Sequence, residues 1–213
     1  MSETIKIELI TKTEALEELR TDWGNLHHQC TPHDIFLTWE WLSAWWITYQ
    51  EGKALWLVTA RDESDTLVGI APLMLVTQRE NGISLRILRS LGYPNSDVGG
   101  FLVREGDART LEALCNFIVQ RKADWDAVEL NEFQSDLPAT RSILEYFQAA
   151  KLNIQTKANL HYYLPIEGTW DDFFKRLSAK MRQNLKRRQR RAEEAGAILH
   201  THVKGGEDRK SVV

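Results

Sequence analysis

The chain has 213 residues, 43% of them hydrophobic and 27% charged, with a formal net charge of −3 and a pI near 6.1. This is the composition of an ordinary globular protein of one or two domains, and it speaks against whole-protein affinity for DNA. No apolar run approaches the ~18 residues of a membrane span. The N-terminus MSETIKIELI has neither the basic nor the apolar region of a signal peptide, and Cys30 and Cys115 stand far apart, so a reducing, cytoplasmic setting is expected.

Ile5, Ile7 and Leu9 alternate with polar residues and predict a strand. Leu16, Leu19, Trp23 and Leu26 recur at helical spacing, predicting one amphipathic helix over Thr13 to Gln29. A Trp-rich helix follows over Leu37 to Tyr49. Ala54 to Arg61 and Thr66 to Thr77 read as two strands joined by the turn DESD, the second buried on both faces through LVGIAPLML. Asn81-Gly82 is a hairpin turn into a strand over Ser84 to Leu91. A short strand at Gly100 to Val103, a helix over Ala108 to Ala123, a strand at Ala127 to Leu130 and a helix over Ala139 to Ala150 come next. Asn153 to Thr156 and Leu160 to Ile166 read as two further strands. A single helix is predicted from Thr169, with Asp172 completing a capping box and Gly196 closing the far end. A strand follows at AILHTHV. Hairpins first and alternating α and β later predict a mixed, largely antiparallel α/β sheet covered by helices.

This order, β-α-α-β-β-β-(β)-α-β-α-β-β, resembles the GNAT acyltransferase fold, and four stretches are similar to one branch of it. IFLTWEWLSAWW (Ile35 to Trp46) resembles a "PF-x-x-x-x-W-x-x-x-W-W" segment, with Ile35 where proline is usual. LVGIAPLML resembles "LVAIAPL". RILRSLGYPNSDVGGFLV resembles "L-x-x-x-G-x-x-x-x-D-Y-x-D", with Asp97 at the first aspartate and Gly99-Gly100 departing at the second. LSAKMRQNLKRRQRRAEEAG resembles "LS-x-K-x-R-x-N-x-R-R". The branch is that of the tandem-GNAT acetyltransferases associated with bacterial cellulose biosynthesis, related to Fem-type peptidyl transferases.

The resemblance implies two GNAT-like domains, the second of which binds acyl-coenzyme A. Residues 1–166 would be the first and residues 167–207 the start of the second. Asp208 to Val213 reads as a non-native tail: its six codons and a following stop can be encoded by a string resembling a sequencing-library adapter, so native sequence is expected to end near Glu207. An acyl-CoA-dependent N- or O-acyltransferase is implied, acting on a small-molecule or saccharide acceptor in exopolysaccharide or envelope synthesis. Acetyl-CoA or another acyl-CoA would be bound mainly by a second domain. No cofactor-binding residue is expected in this stretch: Arg79-Glu80-Asn81-Gly82 begins like a pyrophosphate loop but lacks its second glycine and leads into a hairpin. The alternatives are a non-catalytic GNAT-like binding module and a Fem-like aminoacyl transferase that uses aminoacyl-tRNA.

Candidate site residues follow from two segments. Nine Lys and Arg crowd Lys175 to Arg191 with no acid among them. They read as a solvated face, as an anion site or as a contact for nucleic-acid phosphates. Lys180, Arg182 and Arg187, which match the family helix, are the expected anion contacts. The polar loop Tyr93-Pro94-Asn95-Ser96-Asp97 lies between strands, where either a turn or a site is expected; Tyr93 and Asp97 are its candidate substrate contacts, Asp97 as amine ligand or base. Trp39, Trp41, Trp45 and Trp46 are expected to be core, with Trp46 the most exposed. No metal site is expected. His27-His28 closes a helix, where cations are favoured, and His200 and His202 lack a third ligand. Catalytic residues stay unassigned.

Overall fold

The computed structural model describes residues 4–80, 82–162 and 167–196. The chain divides into two compact units at Asn159/Leu160. In the first, six strands form one sheet: β1 (Lys6–Ile10), β2 (Lys53–Arg61), β3 (Leu67–Glu80), β4 (Ile83–Ser90), β5 (Leu102–Val103) and β6 (Ala127–Glu129). Their order is β1-β2-β3-β4-β6, with β5 also on β3. All pairs are antiparallel except β4 with β6. The expected mixed, largely antiparallel α/β sheet covered by helices is therefore what the chain forms.

The central strand is β3, and its sequence explains the sheet. Leu57 faces Pro72 across the β2–β3 ladder, and Pro72 O accepts from Leu91 N (2.9 Å), so the Pro72 backbone points away from β2. Proline has no N–H to give a neighbour on that side. There β3 changes partner: Leu73 to Glu80 pair with β4, while Gly69 and Ile70 pair with β5. Between them residues 91–101 leave the sheet. Gly69 alternates with Ala71 and Leu73 onto the face that carries the later helices. A Cβ there would lie 2.4 Å from Thr110 Cγ2 and 3.2 Å from Leu114 Cδ1, so the missing side chain lets a helix sit on the strand.

Alternation along β2 and β3 feeds a core on each face. Leu55, Leu57, Ile70 and Met74 pack under α1 (Thr13–Glu18), α2 (Arg20–His27) and α3 (Trp39–Tyr49). Trp56, Val58, Ala71, Leu73 and Leu88 pack under α4 (Ala108–Gln120) and α5 (Pro138–Ala149). The helix expected over Thr13 to Gln29 is broken at Leu19. The Leu16 carbonyl, which Arg20 N–H would use in a continuous helix, takes the Trp39 indole N–H (2.8 Å). The helix expected from Leu37 begins instead at Trp39, with Thr38 as its cap and one 3-10 turn, Ile35–Leu37, before it. Trp46 is only 3% exposed and gives its indole N–H to Thr13 Oγ1 (3.0 Å), so the expectation that it is the exposed member was wrong. Trp41 is the partly buried one. Adjacent helical residues can both be buried when different neighbours cover them: the start of α1 meets Trp46, and the loop at Asn95 meets Trp45.

No strand forms over Asn153 to Thr156. Residues 152–162 are irregular, and Leu160 is 85% exposed. Alternating residues need a neighbouring strand to become a ladder. Asn81, the Tyr163 to Ile166 end of the last expected strand, the AILHTHV strand and the tail from Asp208 lie outside the described residues.

In the second unit, the helix expected from Thr169 is two helices, α6 (Trp170–Arg176) and α7 (Ala179–Ala195). The capping box at Thr169 and Asp172 is present, and Gly196 follows α7 with φ +145°. Ser178 starts α7, its hydroxyl accepting from Met181 N (3.3 Å). Serine between apolar residues signals such a cap, and this one was missed. Arg182 Nη1 donates to the Lys175 and Leu177 carbonyls (3.0 and 2.7 Å) at the end of α6.

Two arginine–carboxylate pairs hold the three-residue β6 beside β4. At one end Arg86 donates to both oxygens of Asp126 (3.2 and 3.0 Å), and Arg86 N donates to Oδ2 (2.7 Å). At the other Arg89 grips Glu129 (Nε 2.7 Å, Nη2 2.6 Å). Hydrogen bonds from Arg86 hold the Asp126 carboxyl below its usual value. A depressed folded-state value stabilises above the unfolded value and is lost as pH falls through the folded one. Asp126→Asn should therefore lower the denaturant midpoint at neutral pH, and the gap to wild type should close as pH falls below about 3.9. A gap unchanged down to about pH 2 would contradict the ionised pair.

Candidate functional site

The segment that leaves the sheet at Pro72 lies at the carboxyl ends of the parallel strands β4 and β6, where open α/β sheets commonly bind ligands. It is tightly built. Gly92 turns the chain with φ +96°, a conformation glycine adopts without strain. Its carbonyl accepts from Asn95 N (2.8 Å) and Ser96 N (3.0 Å). A Cβ at Gly92 would lie 2.2 Å from Ser96 Oγ. From the neighbouring helix, Trp41 Nε1 donates to Ser96 Oγ and Trp45 Nε1 to Asn95 Oδ1, both at 2.9 Å. Two α3 indoles thus fix the loop from beneath, each using its N–H as a buried indole must.

The other wall comes from β4, β6 and the residues after β6. Arg89 Cζ sits 5.5 Å from the Tyr93 ring centroid. Asn131 N donates to Ser90 Oγ (2.9 Å), and Gly99 N donates to the Glu132 carbonyl (2.8 Å). A Cβ at Gly99 would meet the Asn131 carbonyl at 2.1 Å. Asn131 Oδ1 is buried and has no hydrogen-bond partner among the described residues. Such an acceptor costs free energy unless something donates to it. Asn131 was missed by sequence reasoning, and no motif marks it.

The five residues proposed from the sequence divide between the two units. Tyr93 is half-buried under Arg89, and Asp97 is exposed at the head of the loop. On α7, Lys180 and Arg187 are exposed and, seven positions apart, share one face. Arg187 Nη2 donates to Asn184 Oδ1 (3.4 Å). Arg182, two positions from Lys180, lies on the opposite side of the helix and is used against α6. The three do not form one cluster.

A phosphate site at the start of α4 is already filled. Asp107 caps this helix, Oδ1 accepting from Thr110 N (3.0 Å) and Oδ2 from Thr110 Oγ1 (2.6 Å). A carboxylate therefore occupies the place where a helix N-terminus would hold an anion. Burial pushes the Cys30 and Cys115 thiols up to about 12, so neither supplies a thiolate nucleophile. A shallow groove of about 270 Å³ is lined by Ile5, Arg109, Glu112, Ala113 and Asn116, and none of the loop residues takes part in it. The structure also brings His33 to His27 and His28, a grouping the sequence reading did not make.

No protein-family model matches the chain, and no curated protein matches it in sequence at a significant level. Solved structures resemble it loosely in shape. The aminoglycoside 6'-N-acetyltransferase AAC(6')-Ih from Acinetobacter baumannii is 13% identical, with a TM-score of 0.41 over 77% of this chain and 100% of its own. A tetramutant of the BH1408 protein from Bacillus halodurans is 12% identical, with a TM-score of 0.41 over 76% and 99%. An integron cassette protein from the mobile metagenome of V. cholerae is 9% identical, with a TM-score of 0.39 over 83% and 100%.

Trp45→Phe keeps the ring but removes the N–H that Asn95 accepts, and should cost about 1 kcal/mol in denaturant unfolding. Asp97→Asn, at an exposed position, should stay within about 0.5 kcal/mol of wild type. Equal losses in the two variants would mean that Asp97 is part of the loop's own scaffolding.

Proposed function

We propose that the first unit is the acceptor-binding half of a GNAT-type, acyl-CoA-dependent N- or O-acyltransferase that works in the cytoplasm. The observation that carries this is the element order from β1 to α5, with its one parallel pair, β4 and β6, and a built loop at that pair's carboxyl ends. The resemblance of Ile35 to Trp46, Leu67 to Leu75 and Arg86 to Val103 to the tandem-GNAT branch supports it and suggests a saccharide or envelope acceptor. The coenzyme would be held outside residues 1–159, because Asp107 fills the helix start that follows the β4–β5 loop.

In this scheme Tyr93 and Asp97 face the acceptor, and Asp97 accepts the proton as the amine or hydroxyl attacks the thioester carbon. A new N–C or O–C bond forms, the C–S bond breaks, and the coenzyme leaves as the thiol after taking a proton. Glu129 is not the base, since Arg89 already engages it and the pair holds β6 in place.

A second reading, a non-catalytic binding module, is favoured by that same Asp107 cap. Thiol release from acetyl-CoA, measured with amine and sugar acceptors, tests the proposal. This chain alone should give no sustained release. With a coenzyme-binding domain supplied, release should appear and fall by about 10²- to 10⁴-fold in Asp97→Asn, the range attributed to general bases. Sustained release by this chain alone would show that the coenzyme site lies within it. Absence of release in the completed protein would favour the binding module.

A further inference from the structure

The sequence HHQCTPHD turns back on itself after α2, and the turn gathers three imidazoles. One ring nitrogen each of His27, His28 and His33 lies within 4.8 Å of the others. The ring centroids of His27 and His33 are 4.3 Å apart, and those of His28 and His33 5.3 Å. We propose that His27, His28 and His33 bind one divalent transition-metal ion of the zinc, cobalt and nickel class, with a fourth position left open.

The hydrogen bonds set the tautomers for this. His27 Nε2 lies 2.9 Å from the Asp34 carbonyl, and His33 Nδ1 lies 3.2 Å from the His27 carbonyl. A carbonyl only accepts, so each of those nitrogens carries the proton. His27 Nδ1 and His33 Nε2 keep their lone pairs. A metal-binding histidine characteristically gives its other N–H to a carbonyl or carboxylate, and here two of three do so before any metal arrives.

Position and accessibility agree with the assignment. His27 is buried and anchors the set, while His28 and His33 are exposed. Tetrahedral ligands at 2.0–2.1 Å from zinc stand about 3.3 Å apart, a separation that rotation of the two exposed side chains can reach. The site lies at the C-terminal end of α2, where the negative end of the helix dipole favours a cation. Three imidazoles without an oxygen ligand select zinc, cobalt, nickel or copper over magnesium or calcium. Cys30 does not complete the set. Its Sγ donates to the Leu26 carbonyl (3.2 Å).

Tag-free protein titrated with Co²⁺ tests the site, read by visible d–d absorption and by melting temperature. Wild type should bind one Co²⁺ per chain with a four-coordinate spectrum and melt higher with metal than without. His28→Ala and His33→Ala, both at exposed positions, should melt like metal-free wild type. Each should bind Co²⁺ more than about 100-fold more weakly, beyond the 10–100-fold that losing a supporting group costs. His200→Ala combined with His202→Ala should bind as wild type does. No four-coordinate spectrum in wild type, binding that survives either single variant, or binding lost in the His200/His202 variant would overturn the proposal.

Discussion

The first unit is organised by what Pro72 and Gly69 do to the central strand. Pro72 turns its backbone away from β2 and has no N–H to offer the other side, where the sheet exchanges β4 for β5. Gly69 lets α4 settle directly against β3. The chain between Leu91 and Phe101 is consequently expelled from the sheet, and it becomes the loop that α3 secures through Trp41 and Trp45. A proline and a glycine inside an apolar run thus position both the second helix layer and the candidate site.

Much of this was legible in the sequence because burial on both faces of β3 leaves a long apolar run, and helical spacing marks α1 to α5. The boundary at Thr169 was legible from its capping box, whereas the single-hydroxyl caps at Thr38 and Ser178 were not. Boundaries were also lost where a distant residue decides. Leu19 interrupts a helix beside a carbonyl that Trp39, twenty residues on, uses. Strand propensity over Asn153 to Thr156 goes unused because no partner lies beside it. The loop was marked as a place for function by its Asn, Ser and Asp, but the roles of its residues depend on tertiary contacts. Asn131 and the Arg89–Glu129 pair gain their partners only where β4 and β6 meet in the sheet, so no local pattern reveals them.

The molecule offers two kinds of polar assembly with different consequences. Arg86–Asp126 and Arg89–Glu129 are closed: each charge has its partner, and the pairs do structural work by fixing a strand of three residues. The three-histidine turn is open: ring nitrogens are positioned by hydrogen bonds but not themselves consumed. Open assemblies are where a ligand gains most, because the ordering is done in advance and binding satisfies groups that folding left bare. The basic face of α7 is different again, since Arg182 is spent on α6 while Lys180 and Arg187 remain in solvent.

Advance ordering of the loop is therefore the claim on which the functional account rests, and residue-resolved amide exchange in the ligand-free protein measures it. The Asn95 and Ser96 amides, bonded to the Gly92 carbonyl beneath two indole N–H groups, should exchange as slowly as amides at the adjoining end of β4. Trp45→Phe should speed exchange at Asn95 and Ser96 while β3 stays protected. Exchange of these two amides at the rate of an unstructured peptide would contradict the account, because the loop would then be ordered only by a ligand or not at all.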